Sequence, residues 1–252
     1  MLILNKRSYF INFVKIYILA CLMAVMPLTV SATEKVIISH GFSTFGELKY
    51  DNDFQHLNYV NPVAPKGGEI AIWSQGTFDS MNPYSSKGRS GALSSIFFEE
   101  LLTSTADEVG SVYCFMCKTL EYPEDLSWVI FNLRPEVTFS DGIPMTAADV
   151  NFSYNLFLNE GLVSFRAVLS ELVESVEVLD AHKIKFVFKA DAPRRDRIET
   201  AGGLPIFSKK WFEDNDAGLD ESRLDAAVGT GAYMLESYDV NQEIVYERNA
   251  DY

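Results

Sequence analysis

Apolar and polar residues alternate over residues 69–74 (Glu-Ile-Ala-Ile-Trp-Ser), the period of a strand with one buried face, directly behind the turn former Pro65-Lys66-Gly67-Gly68. A loop opens at Met81-Asn82-Pro83 and ends near Gly91. Leu93, Ile96, Phe97 and Leu101 then recur at helical spacing on one face. Residues 128–133 predict a strand, and Ser140-Asp141-Gly142 a turn. Thr146 precedes Ala147-Ala148-Asp149, a hydroxyl cap with an acid three residues later, which marks a helix start. Val150, Tyr154 and Phe157 continue its apolar stripe to a C-terminal cap at Gly161. A second helix is expected over 164–172. Residues 173–179 and 184–188 predict a hairpin around Asp180-Ala181-His182, and 233–238 and 243–247 another around 239–242. The stretch 33–65 is polar, aromatic-rich and irregular, an extended arm pinned to a core by Tyr50, Phe54, Tyr59 and Val60. Strands and helices interleave, so the class is mixed α/β.

The amino-terminal pattern is of another kind. Lys6, Arg7 and Lys15 form a basic start, residues 16–28 are almost purely apolar, and Val30-Ser31-Ala32 supplies small residues for cleavage. This three-part order is that of a secretory signal peptide over 1–32. A membrane anchor needs about 20 apolar residues, whereas this run is shorter and broken by Pro27. Cys21 follows Leu19-Ala20, but apolar sequence continues past it to Leu28, unlike the start of a lipoprotein. Residues 33–252 are therefore expected outside the cytoplasm. Removing 1–32, which carries three basic residues and no acid, moves the net charge from −14 to −17. An acidic surface repels phosphate backbones, so no nucleic-acid partner is expected. The chain is expected to be a monomer.

Candidate chemistry is sparse. There is no nucleophile elbow, phosphate-binding loop, dinucleotide fingerprint or zinc-protease motif. His40, His56 and His182 have no second ligand at metal-like spacing, so no metal and no cofactor are expected. The acidic pair Glu99-Glu100 is assigned to a solvated helix face and Glu124-Asp125 to a turn; Arg194, Arg195 and Arg197 form a basic loop cluster. Cys114 and Cys117 stand at C-x-x-C spacing, a candidate disulfide in an oxidising compartment. They sit in a short apolar patch without the strand-then-helix setting of a thioredoxin-like site, so packing with a local disulfide is preferred to redox chemistry. Two functional classes stand: a binding module without catalysis, and an exported enzyme, either a thiol oxidoreductase on Cys114/Cys117 or a hydrolase with dispersed carboxylates.

Three stretches carry a family resemblance. Residues 125–156 include Trp128-Val-Ile-Phe-Asn-Leu-Arg134, Phe139-Ser-Asp-Gly142 and Thr146-Ala-Ala-Asp-Val150. The others are Gly229-Thr230-Gly231-Ala232-Tyr233 and Tyr246-Glu-Arg-Asn-Ala-Asp-Tyr252. Together they resemble the family 5 extracellular solute-binding proteins of ABC importers. His40-Gly41-Phe42, Gly46-Glu47-Leu48-Lys49-Tyr50 and 59–68 are similar to the branch for oligopeptides and the peptide-nucleotide microcin C. The resemblance implies a periplasmic-binding-protein-like fold, a class II two-lobed clamp that closes on an oligopeptide or peptide-like ligand and presents it to membrane permease subunits. It also implies that residues 33–252 hold only the first lobe, and so bind weakly or undetectably alone. Pocket positions implied by it are Lys87, Gly88 and Arg89 on the loop after Asn82, the aromatic Phe165, and Thr230 between two glycines. In that expectation Gly88 and Gly231 let an extended ligand approach the backbone.

Overall fold

The computed structural model describes residues 35–240 and 242–252. The cleavage site, the start at Thr33 and Cys21 lie outside the described residues, as does Asn241 in the last hairpin turn.

The largest layer is a five-stranded antiparallel sheet. In chain order its strands are β1 (Val36–Ser39), β5 (Cys117–Pro123), β6 (Trp128–Leu133), β7 (Val173–Asp180) and β8 (Lys183–Phe188), arranged β1-β5-β6-β8-β7. A second sheet of order β2-β4-β3 uses β2 (Gly41–Ser43), β3 (Leu102–Ser104) and β4 (Ser111–Cys114). β9 (Tyr233–Asp239) and β10 (Glu243–Arg248) form a separate hairpin. Among the described residues four α-helices accompany the sheets: α1 (Ala147–Glu160), α2 (Val163–Leu172), α3 (Arg197–Gly202) and α4 (Lys209–Asp214). α1 packs on β7, β8, α2 and α4. The alternating positions of β6 and β8 send Val129, Phe131, Ile184 and Phe186 inward to meet Phe157, Met145 and Leu169, all fully buried.

The start of α1 follows the sequence expectation. The Thr146 N–H donates to Asp149 Oδ2 at 2.9 Å and its hydroxyl to the same oxygen at 2.8 Å. The other oxygen of Asp149 accepts the Lys209 N–H at 3.1 Å, and Ser153 Oγ accepts the Phe207 N–H at 2.8 Å. The cap therefore also fixes the chain entering α4. Gly161 does end α1, but at φ −61 and ψ 167, in extended rather than left-handed geometry. A Cβ there would meet the Phe157 carbonyl oxygen at 2.5 Å, which is why the position is glycine.

Several expectations are corrected. Residues 69–74 form no strand, because no described strand hydrogen-bonds to them; Ile70 and Trp73 stand 85% and 83% exposed. The helix expected from Leu93 to Leu101 is a single 3-10 turn over Ser94–Phe97. Leu93 has φ 63, and two carbonyls are captured from outside: Phe97 O accepts the Gly231 N–H at 2.8 Å and Glu99 O the Ile206 N–H at 3.0 Å. Glu99-Glu100 thus lies in extended chain, not on a helix face. Arg197 is no loop arginine: it is 4% exposed and donates to the carbonyls of Leu126, Lys189 and Ala192 at 2.9, 3.0 and 2.7 Å. The irregular arm contains β1 and β2. Within it Tyr50 is buried, donating to Asp107 Oδ2 at 2.7 Å and accepting the Asn58 N–H at 2.9 Å.

Candidate functional site

Residues 79–91 form a closed loop. Its neck is a parallel bridge between Ser80 and Ser90, with the Asp79 and Ser80 N–H groups on the Arg89 carbonyl at 3.0 and 3.2 Å. Asn82 turns the chain: its Oδ1 accepts the Tyr84 N–H at 2.9 Å, while its Nδ2 donates to the Leu219 carbonyl at 2.7 Å. The loop rests on residues 219–223 along its length. Lys87 Nζ lies 3.1 Å from Asp220 Oδ2, and the Ser86 hydroxyl donates to Asp220 Oδ1 at 3.1 Å. These two bonds, Lys87 first, hold the Asp220 carboxyl below its usual range. Gly88 has φ 79, and a Cβ there would meet Ser222 Oγ at 2.5 Å and Asp79 Oδ1 at 2.7 Å. Arg89 reaches a different place, a groove of about 500 Å³ walled by Trp73, Phe78, Ile244 and Tyr246.

Tyr84 ties the loop to an aromatic cluster. Its ring meets Phe157, Phe207, Phe98 and Phe165 edge-on at 5.4, 5.7, 5.8 and 6.5 Å, and burial raises its pKa. Phe165, in the first turn of α2, stacks on Phe157 at 4.9 Å. Phe165 also lines a cavity of about 690 Å³ between α2, α3, β3 and β4.

Thr230 is 3% exposed and its hydroxyl makes no hydrogen bond of full geometry. It faces the Glu99 carboxyl, whose Oε1 accepts the Tyr252 hydroxyl at 2.7 Å. Burial raises the Glu99 pKa, while the hydroxyls of Tyr252 and Thr230 partly oppose that. The flanking glycines have a packing reason. A Cβ at Gly229 would stand 1.9 Å from Phe97 O, and one at Gly231 2.2 Å from Ile96 O. The space that Gly88 and Gly231 open is filled by the chain's own atoms.

Sequence-predicted residues therefore fall in three places. Lys87 and Gly88 anchor the loop, Arg89 and Phe165 face separate cavities, and Thr230 is enclosed beside Glu99. Sequence reasoning did not single out Tyr84, Asp220 or Tyr252 as site residues, and it placed Glu99 on a solvated helix face. The Asn82-Pro83-Tyr84 turn was the one local sign of Tyr84; the other three depend on contacts distant in sequence. Cys114 and Cys117 form a disulfide across the turn joining β4 to β5, with Cα atoms 4.9 Å apart. The pair opens no helix.

Comparison with known proteins adds an independent line. The family model described as bacterial extracellular solute-binding proteins, family 5, matches residues 112–252. An uncharacterized protein YejA of Escherichia coli K12 is 34% identical over 215 residues, 85% of this chain and 34% of that protein. A probable peptide-binding protein YejA of Agrobacterium fabrum is 31% identical over 239 residues, covering 93% and 38%. Among solved structures, the oligopeptide-binding protein AppA of Bacillus subtilis with a nonapeptide aligns at TM-score 0.56 and 20% identity, over 72% of this chain and 36% of that one. NikZ of Campylobacter jejuni with Ni(L-His) aligns at TM-score 0.56 and 23% identity, over 73% and 34%. At such identities the likeness shows a periplasmic-binding-protein fold. The chain spans about a third of the length of the curated relatives it matches.

Proposed function

Because the chain belongs to the bacterial extracellular solute-binding proteins, family 5, we propose that it serves as the periplasmic substrate-binding component of an ABC importer. Its solutes are oligopeptides or peptide-like molecules, which it delivers to membrane permease subunits, acting as a monomer without catalysis. The signal segment 1–32 is removed on export, and residues 33–252 do the binding. The observation that carries this reading is the joint match: the family model over residues 112–252 and the fold of a solved oligopeptide-binding protein over 72% of the chain.

Each residue has a role in this proposal. Arg89 presents a guanidinium in an open groove, the geometry for a bidentate grip on a carboxylate. Phe165 offers an aromatic face to apolar side chains. Lys87 and Gly88 hold the loop shape through Asp220 and Ser222, with Lys87 available to an acidic ligand group when Asp220 is displaced. Thr230 supplies a hydroxyl beside Glu99. Closure on ligand is a population shift driven by contacts from both sides of a clamp. Contacts from these residues alone leave much ligand surface in water, so a Kd on the order of 1 mM is expected.

Ligand-observed NMR suits that range. Saturation transfer from the chain to members of a di- to hexapeptide mixture is expected, weakened by Arg89→Ala and by Phe165→Ala and unchanged by Lys183→Ala. Absence of transfer to every peptide would refute the reading.

A further inference from the structure

The cavity of about 690 Å³ beside Phe165 has a chemistry that peptide transport alone does not call for. Leu102 on β3, Val112 on β4 and Leu169 on α2 form buried apolar walls, and Val168 adds a half-exposed isopropyl group. Its size falls within the range of about 300–1,000 Å³ of small-molecule pockets.

Four charged residues line it: Glu100, Arg195, Asp196 and Glu199. Arg195 is already engaged, with Nε 3.7 Å from Asp196 Oδ1 and its guanidinium 5.9 Å from the Phe45 ring. Glu100 and Glu199 have no ion pair among the described residues. Gly203 stands next to Glu100: a Cβ there would lie 3.7 Å from Glu100 Oε2, an ordinary contact, and 2.9 Å from the Glu199 carbonyl oxygen. Burial raises the Glu100 pKa with no cation opposing it. A hole with apolar walls and two uncompensated carboxylates is complementary to a cation on a hydrocarbon stem.

The geometry points to a site for a primary ammonium group on a short alkyl chain, its methylenes against Phe165, Val168 and Leu169 and its charge at Glu100 and Glu199. Two sources carry that chemistry, a free alkylamine and the lysine side chain of a peptide. The site goes beyond the transport proposal and shares only Phe165 with it.

Calorimetry on the chain with four probes tests it: n-pentylamine, n-pentanol, Ala-Lys-Ala and Ala-norleucine-Ala. Either cationic probe is expected to bind about tenfold or more tighter than its neutral counterpart. Pentylamine binding alone identifies a free-amine site, and preference for Ala-Lys-Ala alone identifies a peptide side-chain site. Glu100→Gln with Glu199→Gln is expected to abolish the preference while leaving the circular dichroism spectrum unchanged. Val168→Trp, at a half-exposed position, fills the cavity and is expected to remove binding of the preferred probe, a second check should the double variant not fold. Equal binding within both pairs (amine with alcohol, Ala-Lys-Ala with Ala-norleucine-Ala), binding of neither cationic probe up to about 20 mM, or a preference that survives in the folded double variant would each overturn the inference. Binding of Ala-norleucine-Ala with no cation preference would refute this site and leave the peptide reading standing.

Discussion

Replacing Gly229 with alanine probes the contact that turns a predicted helix into a 3-10 turn. The new Cβ would stand 1.9 Å from Phe97 O and 2.7 Å from Phe97 C. Both are backbone atoms, so no side-chain rotation relieves the clash, and residues 229–231 must move away. Two hydrogen bonds go with them, Gly231 N–H to Phe97 O at 2.8 Å and Ser140 N–H to Gly229 O at 2.9 Å. Each is worth about 1 kcal/mol net, and overpacking adds about 1–3 kcal/mol. The expected loss is therefore about 3–5 kcal/mol, or a fall in Tm of about 6–20 °C for a unit of this size. Thermal melting by circular dichroism reads it, and amide exchange at Gly231 should accelerate in the same variant. Gly218→Ala is the comparison, because its Cβ would meet no backbone atom but a carboxylate oxygen of Glu160 at 2.9 Å, the end of a side chain that accepts the Leu219 N–H and can shift with it. A Gly229→Ala protein within about 0.5 kcal/mol of wild type, or no less stable than Gly218→Ala, would refute the packing argument.

Asp149→Ala removes the acceptor of three hydrogen bonds and should cost about 2–4 kcal/mol in urea unfolding, with Asp149→Asn recovering part of it. Reducing the Cys114–Cys117 disulfide, or changing both to Ser, should cost only about 2 kcal/mol, since so short a loop removes little unfolded-state entropy; a shift in urea midpoint worth more than twice that would give the bond a larger role. Glu99 has a folded pKa above its ordinary 4.5, so the folded state binds more protons than the unfolded one in that window. Its contribution to stability is therefore present below 4.5 and is lost as pH rises through the raised folded value. Glu99→Gln should flatten that decline in unfolding free energy measured from pH 4 to pH 7 (about the span of carboxylate titration), and an unchanged slope would count against it.

Elements stabilised by near neighbours were readable in the sequence. The capping pair Thr146–Asp149, the stripe of α1 and both hairpins depend on residues a few positions apart, and all formed. Elements decided by distant partners were not. The alternation at 69–74 is real, yet a strand exists only where another strand takes its hydrogen bonds. The 93–101 stripe is real too, but Gly231 and Ile206 take carbonyls that a helix would have used. β4 and β5 were hidden by the disulfide turn between them, and the burial of Arg197 joins the nearby Lys189 and Ala192 carbonyls to that of Leu126 from a loop 71 residues away. The site shows the same division. The 79–91 loop was recognisable by its own residues, while its anchors Asp220, Ser222 and Arg223 were not, since only the fold sets them beneath it.

The exposed run at 69–74 bears on how the molecule behaves in company. Ile70, Ile72 and Trp73 lie in the open with unpaired backbone beside them, a template for stacking between copies. Pro65, Lys66 and Glu69 flank it as gatekeepers, and the net negative charge, −14 for the full sequence and −17 without residues 1–32, holds copies apart. That second defence is ionic. At about 0.1 M salt it is screened beyond about 10 Å, so fibril nucleation should quicken as salt is added, and a lysine placed at Ile72 should slow it without touching the folded core.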